Sequence, residues 1–146
     1  MVIKNLSIQQ IFDSRGEPTI EVGVLDAKNR WFFAQVPSGK SRGKNEVRVL
    51  NFQSAKHALQ KRVKKAIVGK NYNSVRTLDI SLLRLDSTKN KSRIGGNLTL
   101  GISVAFSRAV AAEKGKEIWQ ILRSEFFAKV KSSNKKPLVF SNLING

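Results

Sequence analysis

The chain has 146 residues, 40% of them hydrophobic, which is enough for one packed core and too few for a complete eight-fold β/α barrel of about 250 residues. It has no cysteine and a single histidine, His57, which excludes disulfides, thiolate metal sites, a cysteine nucleophile and any multi-histidine metal centre. Lys and Arg total 27 against 10 Asp and Glu, a formal net charge of +17, and such a balance suits a polyanionic partner better than a small-metabolite substrate.

Met1 to Phe12 carries one Lys and no long apolar core, so it does not read as a signal peptide. No run approaches the roughly 18 apolar residues of a membrane span. A soluble cytoplasmic protein without a membrane partner is expected. Leu6, Ile8 and Ile11 suggest a first strand, closed by a turn at Asp13-Ser14-Arg15-Gly16. Ile20, Val22 and Val24 alternate with Thr19, Glu21 and Gly23, the period of a half-buried strand. Asp26-Ala27-Lys28-Asn29 suits a hairpin, and Trp31, Phe32, Phe33, Ala34 and Val36 form a third strand. Short connections favour adjacent strands, so a three-stranded antiparallel meander is predicted.

Pro37 to Asn45 reads as a loop, after which the apolar period changes. Ala55, Leu59, Val63, Ala66 and Ile67 recur at helical spacing, with Ser54 as the expected N-cap and Gly69 as the stop. Ser74 caps a second helix whose stripe is Val75, Leu78, Leu82 and Leu85. Asp86 to Gly95 is polar and rich in turn residues. Asn97 is the expected cap of a third helix that ends at Gly115 and is apolar nearly all round, which predicts a central, buried position. A fourth helix starts near Glu117 and carries Ile118, Trp119, Leu122, Phe126 and Val130. Lys129 to Lys136 is a basic linker, and Leu138-Val139-Phe140 starts an extended segment. Strands followed by helices make an α+β arrangement.

Four ordered motifs in this inventory resemble the amino-terminal domain of enolase, the phosphopyruvate hydratase of glycolysis. They are Ile11-Phe12-Asp13-Ser14-Arg15-Gly16-Glu17-Pro18-Thr19-Ile20-Glu21-Val22, Val36-Pro37-Ser38-Gly39-Lys40-Ser41-Arg42-Gly43, the stretch from Leu85 to Ser103, and Asn142-Leu143-Ile144-Asn145-Gly146. The resemblance implies a meander followed by four helices over residues 1–136, with residues 137–146 a short tail similar to the first strand of a catalytic barrel. It implies that catalysis belongs to that barrel, so no catalytic residue and no cofactor are expected in this chain alone. In a complete enzyme Ser41 would be a ligand of a second Mg2+, its loop closing over the substrate. The loop departs from the family pattern: Lys40 and Arg42 stand where Ala and Thr are usual. Further on, Val49, Asn51 and Phe52 replace Glu, Arg and Asp. Gly39-Lys40-Ser41 also touches the P-loop pattern, but its first glycine position is Ala34 and no helix starts at Lys40.

Residues 40 to 76 hold Lys40, Arg42, Lys44, Arg48, Lys56, Lys61, Arg62, Lys64, Lys65, Lys70 and Arg76 against one acid, Glu46. Lys61, Lys64 and Lys65 fall away from the apolar stripe of the first helix. A solvated helix face normally mixes charge signs, and this one does not. The cations from Lys40 to Lys70 are therefore the expected phosphate contacts of a basic RNA-binding module, a component of a ribonucleoprotein or ribosome with RNA and assembly proteins as partners. The alternative is the small part of a split phosphopyruvate hydratase, completed by a barrel chain and Mg2+. A remnant without a separate role is the third reading.

Overall fold

A computed structural model describes residues 1–39, 43, 45–131 and 138. Three strands, β1 (Ile3–Phe12), β2 (Pro18–Asp26) and β3 (Trp31–Gln35), form one antiparallel sheet in the order β1-β2-β3. Register places Leu6 opposite Val24, Ile8 opposite Val22, and Val22 opposite Ala34. The strand period of two then sends these residues to one face, where Leu6, Val22, Val24 and Ala34 are buried. The helices cover that face only.

The first helix, α1, runs without a break through Phe52–Ala58, a π-helical turn at Leu59–Val63, and Lys64–Ile67. Its apolar row, Ala55, Leu59, Val63 and Ile67, is spaced by four at every step, and all four are buried. On a regular α-helix such a row drifts by about 40° per step. The wider π turn takes up the drift and keeps the row on the core. The cap is Asn51, whose side chain accepts from the Ser54 amide, rather than Ser54 itself. Asn51 starts the helix a turn earlier because its short amide acceptor reaches that amide.

Helix α2 (Val75–Leu85) has the predicted Ser74 cap, reinforced by a reciprocal bond from Thr77. Helix α3 (Gly96–Glu113) is the central one and packs on β2 and β3 as well as on α2 and on α4 (Ile118–Phe126). Leu98, Ile102, Ala105, Phe106 and Ala109 are fully buried on it. Its N-cap is Gly95, and Asn97 lies inside the first turn. Helix α4 ends at Phe126, so Val130 stands outside it and exposed, and Trp119 is exposed rather than part of the buried stripe. The buried residue of α4 is Ile121. The linker and the extended segment predicted after Lys131 fall on residues outside the described ones, Leu138 apart.

The contact between α3 and the sheet is close. A Cβ placed on Gly101 would lie 2.6 Å from Val22 Cγ2 and 3.1 Å from Val36 Cγ2. Gly101→Ala gains roughly 1 kcal/mol of helix propensity, yet overpacking against two branched side chains costs about 1–3 kcal/mol. A net loss of up to about 2 kcal/mol is expected in a urea titration; a more stable variant would show that helix and sheet separate easily.

Candidate functional site

The stretch between β3 and α1 is anchored at both ends by the scaffold. At its start, Thr19 Oγ1 donates to the Val36 carbonyl at 2.7 Å, and Arg15 Nη2 donates to the Ser38 carbonyl at 2.9 Å. Arg15 is itself held by Asp13 at 2.7 Å. That side-chain bond, with the amides of Glu17 and Arg15, holds the Asp13 carboxyl below the usual carboxylate range. At the far end, Asn97 bonds both sides of Leu50: its Oδ1 accepts from the Leu50 amide at 3.1 Å and its Nδ2 donates to the Leu50 carbonyl at 2.8 Å. Arg48 is fixed by its backbone, its amide donating to the Asn90 carbonyl at 2.7 Å and its carbonyl accepting from Gly96 at 2.8 Å. Between the anchors, the Glu46 carboxylate accepts from the Gly43 amide at 2.9 Å.

The turn that supplies this second anchor is built on Asp86. Its buried carboxylate accepts from the amides of Thr88, Arg93 and Ile94 and from the Thr88 hydroxyl. Nothing in the sequence alone marks Asp86, Asn97, Arg15 and Thr19 as site residues by their chemistry. Their signal is one of spacing: an Asp one residue past the end of a helical stripe, and an Asn directly after two glycines.

A cleft of about 650 Å³ opens between the anchors. Gln10, Glu17, Thr19 and Ser38 form one wall, and Arg48, Leu50, Phe52 and Asn97 the other. Its lining mixes polar and apolar groups and includes one acid and one cation. Lys40, Ser41, Arg42 and Lys44 lie outside the described residues. Of the other predicted contacts, Arg48 lines the cleft and Lys56 sits 5.7 Å above the Phe52 ring at its rim. Lys56, Lys61, Arg62 and Lys65 are exposed on α1 and Lys64 is half-buried there, while Lys70 is exposed beyond the helix end. The structure thus brings together the α1 cations and sets Arg48 apart from them on the clamped segment. Among the described residues the ion pairs are Arg15–Asp13 and Arg30–Asp26, so no carboxylate answers the α1 cations. His57 is exposed.

No group of three or more His, Cys, Asp or Glu able to hold a metal ion occurs among the described residues. The donor set fits Mg2+ only as a contributor of single oxygens, because that ion needs carboxylates, waters and phosphates in near-octahedral geometry. No helix among the described residues is long and apolar enough to cross a membrane.

The family described as "Enolase, N-terminal domain" matches residues 3–122. The enolase of Ureaplasma parvum serovar 3 is 34% identical over 157 aligned positions, covering 100% of this chain and 36% of that protein. Enolase 1 of Chlorobaculum tepidum is 34% identical over 157 positions, covering 100% of the chain and 35% of that protein. The chain spans about a third of the length of these curated relatives.

Proposed function

The chain belongs to the enolase amino-terminal domain family, and from that premise we propose that it serves as the smaller domain of a phosphopyruvate hydratase, seated against a catalytic barrel that these 146 residues do not include. Residues 1–136 are the domain in this reading and residues 137–146 the start of the barrel edge. The observation that supports it is the pair of anchors. Thr19 and Arg15 hold the chain at Val36 and Ser38, and Gly96 with Asn97 holds it at Arg48 and Leu50, on either side of the cleft. Fixing both ends lowers the entropy lost when such a loop closes on a bound substrate.

The division of labour follows from the chemistry. In the complete enzyme Mg2+ supplies positive charge that stabilises what develops as the α-proton of 2-phosphoglycerate leaves. Ser41 would offer one oxygen to that ion, and Lys40 and Arg42 would meet the substrate phosphate. The barrel supplies the acid, the base and the remaining ligands. Mixing the chain with a barrel-only enolase chain, Mg2+ and 2-phosphoglycerate tests this. The barrel alone should be inert, and the mixture should form phosphoenolpyruvate, read by its absorbance. Ser41→Ala should lower that rate by about 10–100-fold. A mixture as inert as the barrel alone would sink the reading.

A second reading is favoured by one observation. From Val47 to Leu78 the chain has no acid, and its cations on α1 have no carboxylate partner among the described residues. This supports a polyanion, with RNA as the leading candidate, held through phosphate contacts along α1. Binding should then weaken steeply with salt, at a log–log slope of about −0.7 per phosphate for a single strand.

A further inference from the structure

Helix α1 carries one unbroken outward row. Its buried residues Ala55, Leu59, Val63 and Ile67 step by four and stay on the core through the π-helical turn at Leu59–Val63. The residues two positions after each of them stay aligned in the same way, on the opposite side of the helix. They are His57, Lys61 and Lys65, preceded by Gln53, and all four are exposed. On a regular α-helix such a row would wind by about 40° per step; here the π turn straightens it. Successive members lie about 6 Å apart along the axis. Lys56 and Lys64 flank the row on one side and Arg62 on the other. Gln53 also lines the cleft, so the row leads from the cleft toward the end of α1.

No group of opposite sign meets this row. The elements packed on α1 are β1 and α2, and they meet it on its buried side. Their charged residues are Lys4, Arg76, Asp79 and Arg84. Lys4 donates to Asn29 Oδ1 at 2.6 Å, Arg76 donates to the Glu125 carbonyl at 2.7 Å, and Asp79 is bonded to Ser103. Arg84 stands in the last turn of α2 and is itself a cation. The ion pairs among the described residues lie elsewhere, at Arg15–Asp13 and Arg30–Asp26. On α1 itself the charged neighbours of His57 are Lys56 and Lys61. A straight, exposed line of nitrogen donors with no acid beside it is complementary to an evenly spaced line of anions.

We infer that His57, Lys61 and Lys65 form a phosphate track for one strand of RNA, in which His57 is the pH-responsive contact. The inference deepens the polyanion reading and rests on it. Imidazole is the one side chain whose charge ordinarily changes between pH 5 and 8. A neutral ring can donate one N–H to a phosphate oxygen, and a protonated ring adds a charge-assisted bond about twice as strong. A phosphate held between His57 and Lys61 favours the charged ring. Strand binding and proton uptake therefore reinforce each other, and to the same extent in both directions. The two lysines hold the strand at any pH in this range, and His57 sets how tightly it is held.

The chain has a single histidine, so in the untagged protein the imidazole C–H signals of a proton NMR spectrum belong to His57. Followed from pH 8 to pH 5, those signals should shift at a higher pH when oligouridine of about 12 nucleotides is bound than in the chain alone. Fluorescence anisotropy should show the affinity for the same strand rising from pH 8 to pH 5 by about three-fold more in the wild type than in His57→Gln. The log–log salt slope of the wild type should steepen by roughly 0.7 over that range, as one more phosphate is neutralised. His57→Lys should bind with the steeper slope at both ends of the range. Oligouridine binding with the same pH and salt dependence in the wild type and His57→Gln, and ring signals unmoved by the strand, would overturn the role of His57 and leave the polyanion reading standing. No binding of the strand at either pH would remove both.

Discussion

Asp86→Ala is expected to destabilise the domain by about 3–5 kcal/mol, because it strands one buried and three partly buried donors at once. The carboxylate accepts from the amides of Thr88, Arg93 and Ile94 at 3.1, 2.8 and 2.9 Å, and also from the Thr88 hydroxyl. Each orphaned buried donor costs about 1–3 kcal/mol, and relaxation of the turn recovers part of that. The melting temperature should fall by roughly 10 °C for a chain of this size. Asp86→Asn keeps the volume but has one acceptor oxygen and turns an NH2 toward N–H groups, so it should rescue less than half. The same turn carries the contacts to Arg48 and Leu50, so the variant should also expose the segment before α1 to faster amide exchange. A loss below about 1 kcal/mol, within the range of ordinary surface changes, would show that the turn does not depend on the carboxylate.

The acid dependence of that difference has a definite sign. Burial pushes the Asp86 carboxyl up, but the Thr88 hydroxyl and the amides of Ile94, Arg93 and Thr88 outweigh it and hold the group below its usual range. Burial likewise raises Asp26, and the amide and guanidinium of Arg30 bring it down again. A carboxyl depressed in the folded state contributes stability that is present above the unfolded value of about 3.9 and is lost as pH falls through the folded one. The gap between wild type and Asp86→Ala should therefore be full at pH 7 and shrink below about pH 4. Asp79 runs the other way. Burial between helices raises its carboxyl, with Glu125 adding to the rise and a Ser103 hydrogen bond opposing it. Its ionisation weakens the fold at neutral pH, and that cost disappears as the group takes up a proton.

Reversing Lys61, Lys64 and Lys65 to Glu should reduce oligonucleotide affinity by at least about 100-fold in low salt, with a log–log salt slope shallower by roughly 0.7 for each phosphate no longer neutralised. The reversal turns three positive charges into three negative ones and replaces phosphate donors with repelling groups. The loss should be similar across base sequences, because contacts to phosphate carry no sequence information. Folding should be nearly unaffected, since Lys61 and Lys65 are exposed and Lys64 buries only part of its stem. Equal affinity and an unchanged slope in the triple variant would refute the α1 interface.

The element inventory is legible in the sequence because three strands and four helices carry clean periods. Val22 and Val24 alternate, and Leu78 and Leu82 recur by four; both patterns report which face is wet. The helix starts are harder. Ser54 and Asn51 are both good caps, and the choice depends on which of them is one turn ahead of the first buried residue, a tertiary fact. Asn97 departs from its expected cap position for the same reason: its amide serves Leu50, 47 positions away, and nothing local announces a bond of that reach. The π turn in α1 follows from its uninterrupted spacing by four, a pattern that looks helical until the drift is counted. Trp119 leaves the expected stripe because α4 is short and sits at the edge of the core, where Ile121 is buried and Ile118 and Leu122 are half-buried. Of the candidate contacts, the α1 face can be read from charge alone.

The double tether of the loop has a consequence for how such a domain changes over generations. Its two ends are secured through the main chain at Val36, Ser38, Arg48 and Leu50, and the securing groups sit outside the loop at Arg15, Thr19, Asn90, Gly96 and Asn97. The bonds that secure the ends therefore use no side chain from the residues in between. Exchanges of side chain there, such as Lys40 and Arg42 in place of the usual Ala and Thr, leave those tethers untouched.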